Sequence, residues 1–334
     1  MTVYRLIRIN SILIILLIGV GAIAMFAGAV NVDIGPAIRS IFSSELNGDN
    51  ALAAIDKTIL FSIRLPRIIL AGLVGAALSL AGTIFQALLR NPLADPYILG
   101  LSGGSAVGAI LGIMIGAGSF VIGIPGAAFS GAIIAVVTVF GIAGTHLQSN
   151  TILLAGVIVN AFFSAVILFL ISVSSRFNLQ NMIFWLMGDL SLPSTGGLQT
   201  LAVCLIIGFA VIYTESKALN LIATGEETAL QLGINVQRSK IVLFITASLI
   251  TAVAVSFSGM VGFVGLIIPH MMRLMVGPDH RILLPASLLF GASFLITADA
   301  FARMIMAPVE LPVGVITAFC GAPYFIYLLR RRTL

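Results

Sequence analysis

The stretch PYILGLSGGSAVGAILGIMIGAGSFVIGIPGAAFSGAIIAVVTVFGIAGTHLQSNTILLAGVIVNAFFSAVILFLISVSS, Pro96–Ser175, holds eighty residues without one Lys, Arg, Asp or Glu, and His146 is its only side chain that titrates near neutral pH. A helix that crosses a bilayer needs ~20 mostly apolar residues. The stretch therefore reads as three spans, parted where turn-forming residues gather near Gly116–Pro125 and at Thr145–Asn150. Outward from it, the charge-free gaps Ile9–Val32, Ile68–Leu89, Leu190–Thr214, Ile282–Ala298 and Leu311–Leu329 each hold one more span. Ile241–Met272 is too long for one: Ile241–Ser258 rises, Gly259–Gly265 turns, and Leu266–Val276 returns as a short tenth span that carries His270 and Arg273. The expectation is an all-α, polytopic ten-helix membrane bundle that forms one transmembrane unit over residues 1–334.

Composition agrees. Of 334 residues 60% are hydrophobic and 9% charged, against ~25% charged in soluble domains. A soluble enzyme, a disordered chain and a nucleic-acid binder are excluded on that ground. With ten spans both termini share one side. That side holds Arg5, Arg8, Arg90, Lys217, Arg238, Lys240, Arg273, Arg281 and Arg330–Arg332, while Arg39, Lys57, Arg64, Arg67, Arg176 and Arg303 fall on the other. The richer side is cytoplasmic, by the positive-inside rule, which places the chain in the cytoplasmic (inner) membrane with both ends inside. This asymmetry accounts for much of the +5 net charge without a polyanionic partner. The first apolar run, residues 9–32, is longer than the h-region of a signal peptide. Residues 34–63 form an outer loop, where Ile38, Ile41, Phe42 and Leu46 fit an amphipathic interfacial helix. Cys204 and Cys320 read as small core hydrophobes, and no cysteine spacing suits a metal.

Gly100, Gly104, Gly108, Gly112 and Gly116 recur every fourth residue. Such a stripe lets helices approach closely in lipid, within the chain or with a second copy. No carboxylate lies in the middle of a span, and Asn160 and His270 are the notable polar candidates. Asn160 fits either an interhelical hydrogen bond or a lined path, and His270, after Pro269 at a helix start, fits a packed or capping role. Ion coupling is poorly served without an ionisable relay. The chain has no Gly-Lys pair and hence no phosphate-cradling Walker A loop, so active transport would need a separate ATPase and a docking element on the inner side. The loop 215–240 offers one. Thr224-Gly225-Glu226-Glu227 reads as a capping box and Gly233 as a left-handed terminator, which delimit a short helix over Gly225–Leu232. It suits either a peg moved by a partner or a helix resting on its own bundle. Arg64, Arg67 and Arg303 on the outer side ask for a reason: ion pairs to an acidic delivery protein or snorkelling to lipid phosphate.

Seven ordered blocks carry a resemblance: RLPR (Arg64–Arg67), AGTIFQALLRNPLADPYILGLSGGSAVGA (Ala81–Ala109), FWLMGDL (Phe184–Leu190), LNLIATGEETALQLGI (Leu219–Ile234), GFVGLIIPHMMRLMVGPDHR (Gly262–Arg281), ADAFAR (Ala298–Arg303) and ELPVGVITAFCGAPYFIYLLRR (Glu310–Arg331). The chain resembles the FecCD-type permeases, the membrane subunits of type II ABC importers for iron-siderophore complexes, haem and cobalamin. The matching core runs over residues 64–332; residues 1–60 match only in character, and SGGSAVGA (Ser102–Ala109) departs from the common pattern by one small residue. The resemblance implies ten spans, a second permease copy, two cytoplasmic ATPases that use ATP and Mg, and an extracytoplasmic substrate-binding protein. It implies no cofactor on this chain, no catalysis by it and no nucleic-acid partner. It implies an ATPase-coupling surface at Glu226, Glu227, Ala229, Leu230 and Gly233, binding-protein docking at Arg64, Arg67 and Arg303, and a translocation path near Asn160 in the fifth span. Iron-siderophore is the expected cargo because that class is commonest in the family, with cobalamin and haem as alternatives. The rival reading from another class is an ion-coupled secondary transporter; an intramembrane enzyme lacks a catalytic constellation.

Overall fold

In the computed structural model the described residues are 3–28, 51–117, 123–144, 148–191 and 193–332, and they form helices joined by short turns. Seven helices are long and apolar enough to cross a membrane and three shorter ones are apolar, which gives the ten expected. In chain order the elements are α1 (Val3–Phe26), α2 (Ala51–Thr58), a π-helical turn (Ile59–Arg64), α3 (Leu65–Leu88), a 3-10 turn (Pro96–Leu99), α4 (Leu101–Met114), α5 (Gly123–Ala143), α6 (Ser149–Val173), α7 (Arg176–Met187), α8 (Thr195–Thr214), α9 (Ser216–Thr224), α10 (Glu226–Gln231), α11 (Val236–Ser258), α12 (Val264–Val276), α13 (His280–Met304) and α14 (Val313–Arg332).

α3 is the axis of the bundle. Most of its residues are buried, and it packs on α8, α11, α12 and α13. Glycine sets those distances. A Cβ on Gly82 would run into the Gly265 carbonyl at the start of α12, and one on Gly75 into the Gly291 carbonyl of α13. The glycine stripe finds its partner within the chain: Gly104, Gly108 and Gly112 pack on Gly131, Ala127 and Ile124 of α5, and Gly131 returns the contact to Gly104. The other two stripe members act as terminators. Gly100 (φ +74°) caps α4 beside Val159, and Gly116 (φ +70°) follows the end of α4.

The helices run alternately between two faces. Arg5 at the start of α1, Arg90 after α3, Lys240 near the start of α11 and the end of α12 meet at one, and the Arg5 guanidinium donates to the Val276 carbonyl at 3.0 Å. The end of α1, the start of α3 and the end of α13 meet at the other. α14 runs parallel to α12, with Gly321 beside Phe263 and Phe325 beside His270, and so ends at the first face. The termini therefore share a face, as the parity of ten spans requires.

Several boundaries differ from expectation. The second span does not begin at Ile68. Helix continues from Ala51 through RLPR, because Pro66 falls in the first turn of α3, where its missing N–H costs little, and the chain just upstream widens into the π turn. The expected interfacial helix falls partly on residues 29–50, outside the described residues; Ala51–Thr58 is helical. The short return span after Gly259–Gly265, eighth in chain order, is present as the thirteen residues Val264–Val276, capped by Phe263, which holds a left-handed φ of 69°. His270 is thus interior to α12, not at its start, and packs edge-on against Tyr324. Cys204 is half-buried and Cys320 exposed, so neither is a fully packed core residue. α7 and α9 were not foreseen. α7 scatters Phe177, Ile183, Phe184 and Met187 as exposed side chains and shows no single apolar stripe to read.

Candidate functional site

Between α8 and α11 the chain leaves the bundle as two short helices, α9 and α10, joined at Gly225. Ile222, Ala229 and Val236 pack together, with Leu221 and Ile234 against them. The end of α10 is a Schellman motif. The Ile234 N–H donates to the Ala229 carbonyl and the Gly233 N–H to the Leu230 carbonyl, each at 3.0 Å, and Gly233 takes φ +81°. The sequence placed this terminator correctly. Its partner, the capping box, does not form. Thr224 is the last residue of α9, and its hydroxyl donates back to the Leu221 carbonyl at 2.8 Å, the usual local choice for a threonine on a helix. The N-cap of α10 is Gly225, without a side-chain hydrogen bond. Replacement of Gly233 by Ala meets open space, so only the left-handed backbone opposes it. Amide exchange over residues 226–234 should then quicken about five-fold, the equivalent of ~1 kcal/mol, with the spans unaffected.

The five residues expected to form a coupling surface divide. Glu227, Leu230 and Gly233 are exposed, Leu230 at 59% with Leu232 beside it at 61%. Ala229 is fully buried beneath them, and Glu226 turns toward the bundle. Ala229 is therefore removed from the outer surface: as the third residue from the helix end it supplies the apolar contact under the Schellman turn. The Glu226 carboxylate accepts from the Lys240 ammonium at 2.7 Å, and the Arg90 guanidinium stands 3.5 Å away. Further ties hold this module to the bundle. Arg90 donates to the Ile222 carbonyl, Ser239 to Glu215, and Asn220 to Asp279. Asp279 caps α13, and its carboxyl is held well below the ordinary carboxylate range, first by its hydrogen bonds with Arg281 and then by Asn220.

At the opposite face the three expected docking arginines are drawn inward. Arg67 pairs with Asp299 at 2.9 Å and with Glu310; Arg303 pairs with Asp299 at 3.1 Å, one helical turn along α13. Arg64 donates to the Met25 and Phe26 carbonyls, and Arg303 to the Ala24 carbonyl, which closes the end of α1. All three arginines and Asp299 are buried. The three therefore do not present themselves to a partner as exposed charges, which departs from the expected direct ion pairs. The reason is local: Asp299 and Glu310 supply the counter-charges to Arg67 and Arg303 within the chain.

Between these faces lies an open cavity of ≈ 670 Å³, lined by Tyr97, Ser102, Leu186, Met260, Phe263 and residues of α14. The Tyr97 hydroxyl accepts from the Val261 N–H at 2.9 Å and ties the turn before α12 to the segment before α4. Asn160 does not line this cavity. It is half-buried on α6, its side-chain oxygen close to Gly103, and the neighbouring Leu154, Val157, Ile158 and Phe162 form an exposed apolar face. Tyr97, Lys240, Asp299 and Glu310 are the functional-site residues that sequence reasoning missed. The blocks Ala81–Ala109, Ala298–Arg303 and Glu310–Arg331 quoted above contained Tyr97, Asp299 and Glu310, but nothing in spacing paired them. No cluster of metal-ligating side chains occurs among the described residues.

The structure is a polytopic helical bundle with an open cavity beside α14 and two short helices, α9 and α10, between its spans, the build of an integral membrane protein. A sequence model described as the FecCD transport family matches residues 13–331, and the chain belongs to that family. It is 46% identical over 278 residues, 83% of this chain and 74% of the relative, to the cobalamin import system permease protein BtuC of Halobacterium salinarum. It is 39% identical over 287 residues, 84% and 85% of the two chains, to the vitamin B12 import system permease protein BtuC of Klebsiella pneumoniae. A solved structure, an inward-facing conformation of an ABC transporter of proposed metal-chelate type, superposes with a TM-score of 0.84 at 31% identity and covers 97% of this chain and 99% of that one. The chain is thus the membrane permease subunit of an ABC importer, and ATP hydrolysis belongs to a separate subunit.

Proposed function

We propose that this permease carries a cobalamin-class metal chelate into the cell. The observation that carries the reading is the 46% identity to a cobalamin permease over 278 residues. It moves the preference away from the ferric siderophore favoured by sequence reasoning. A mostly neutral, apolar lining suits a bulky organic chelate, which needs a wide route that does not hold it tightly. One copy leaves the ≈ 670 Å³ cavity open along α14, and a second copy of the permease would close it. The face with α9 and α10 is cytoplasmic on this reading. Two ATPases, fuelled by ATP and Mg, dock on the exposed side of α10 through Glu227, Leu230 and Leu232. An extracytoplasmic binding protein delivers cargo at the other face, where the buried arginine cluster fixes the helix ends under it instead of reaching out. ATP-driven closure of the ATPases moves α10, and the bundle opens alternately to the two sides.

The test is uptake by the permease reconstituted with its companion ATPase and binding protein in proteoliposomes. Labelled cobalamin should accumulate only with ATP inside, and an iron-loaded siderophore should not compete. Siderophore uptake with no cobalamin uptake would replace the cargo assignment; uptake driven by a proton gradient without ATPase would remove the importer reading. Glu227→Lys with Leu230→Asp should lower hydrolysis in the complex at least ~10-fold, as loss of an interface anchor worth ~2 kcal/mol would, with the isolated permease still monodisperse.

A further inference from the structure

The ≈ 670 Å³ cavity has a wall of carbon with two exceptions. Of the residues that line it, Tyr97 and Ser102 alone carry a side-chain hydroxyl, amide or charge; the others, among them Leu186, Met260, Phe263 and Val315, are apolar. Most span hydroxyls are satisfied locally. Thr138, Ser164, Thr200, Thr251 and Thr297 each donate to the carbonyl four residues back, the usual outlet for a hydroxyl on a helix. Ser102 makes no such bond. It stands in the first turn of α4, and the carbonyl four residues back, that of Ile98, is turned against Gly156 of α6. Among the described residues the Ser102 hydroxyl has no hydrogen-bond partner. Ser105, Ser248 and Ser287 also lack one, but their oxygens are sealed in the packing; the Ser102 oxygen is not sealed, and its residue borders the cavity. The Tyr97 hydroxyl is only half engaged. It accepts from the Val261 N–H at 2.9 Å, which leaves its own proton still to be donated. Among the described residues no acceptor takes that proton. An unmet donor away from bulk water is costly, and the cavity is where a partner can enter.

We infer that Tyr97 and Ser102 form a polar contact point for the cargo, two hydrogen-bond donors that meet an acceptor oxygen on the rim of the passing chelate. The donor set defines the class of ligand. Both groups are neutral, and no charged side chain shares the wall with them. Such a pair suits carboxamide carbonyls, which cobalamin carries around its corrin ring. The inference rests on the cobalamin reading above and adds to it a site that reads the cargo. Two neutral bonds orient a bulky passenger without holding it fast, as a conducting route requires.

The experiment measures equilibrium binding of cobalamin to the permease–ATPase complex in nanodiscs. ATP-driven cobalamin uptake is followed in proteoliposomes that also hold the binding protein. Ser102→Ala removes a hydroxyl that bonds nothing within the chain. Its melting temperature should stay where it is, while the Kd for cobalamin rises ~2–10-fold, the worth of one neutral hydrogen bond. Ser102→Thr keeps the hydroxyl and should bind as the unmodified complex does. Tyr97→Phe should raise the Kd by a like factor and also lower the melting temperature, because the Val261 N–H loses its acceptor. An unchanged Kd in Ser102→Ala overturns the contact, and so does Tyr97→Phe with a lowered melting temperature and an unchanged Kd. Equal losses in Ser102→Ala and Ser102→Thr would make the hydroxyl irrelevant and overturn it as well. Uptake by an unmodified complex that shows no measurable cobalamin binding would do the same. In each of these cases uptake by the unmodified complex leaves the importer reading standing. No cobalamin uptake by the unmodified complex would remove the cargo reading and this contact with it.

Discussion

Replacement of Asp299 by Ala should leave most of the permease unable to survive extraction in a folded state. Asp299 is buried between two buried guanidiniums, Arg67 at 2.9 Å and Arg303 at 3.1 Å. Removal of the one carboxylate they share strands positive charge where water cannot reach it, and such losses cost ~3–5 kcal/mol. Glu310 remains as a partner of Arg67, but its side chain is 43% exposed and it reaches only one arginine. The measurement is the monodisperse fraction after detergent extraction together with the melting temperature. The converse variant makes the argument specific: Arg67→Met, Asp299→Leu and Arg303→Met together remove every buried charge of the core triad and should recover much of the lost stability. Equal melting temperatures for the unmodified protein and Asp299→Ala would show that the cluster holds nothing together.

Gly82→Ala should be among the most damaging single methyls in the bundle. The added Cβ meets the backbone of Gly265, which has no rotamer to yield, so α3 and α12 must separate along their shared length. Overpacking of this kind costs ~1–3 kcal/mol and sometimes more. Gly265 in turn abuts Pro96 and the Leu78 carbonyl, so the displacement passes to the segment that Tyr97 anchors. The same substitution at Gly196, on the first turn of α8 with nothing within 4 Å, should be neutral. Thermal melts of the two variants, side by side, separate a packing effect from a general intolerance of alanine. If Gly82→Ala melts with Gly196→Ala, the close approach is not what positions α12.

Much of this architecture is legible from charge spacing. Gaps between charged residues located the spans, because lipid tolerates few charges and their absence is an integrated signal over about twenty residues. The glycine stripe announced a tight contact but not its partner: small residues report closeness, and only the fold shows that α5 receives Gly104, Gly108 and Gly112. The Schellman end at Gly233 was readable because a left-handed residue leaves a local mark. The capping box was misread because Thr224 has two local options, and the choice depends on whether the residues before it are helical, as α9 makes them. The ion pairs Arg67–Asp299 and Glu226–Lys240 join residues far apart or in separate helices, and no one-dimensional pattern couples them. For that reason Arg64, Arg67, Arg303 and Ala229, which the resemblance assigns to surfaces, lie buried in the chain, and Glu226, half-buried, pairs with Lys240.

The early start of α12 has an electrostatic corollary. At ~1.5 Å per residue its thirteen residues reach about 20 Å, short of the ~30 Å hydrocarbon layer. α4, with fourteen residues, is comparably brief. Ser102, in the first turn of α4, and Phe263, which precedes α12, both border the ≈ 670 Å³ cavity. Each helix therefore offers its amino-terminal pole, a fractional positive charge of roughly half a unit, to a chamber whose described walls contain no lysine or arginine. The partial positive potential there comes from backbone dipoles, which no change of pH can titrate away.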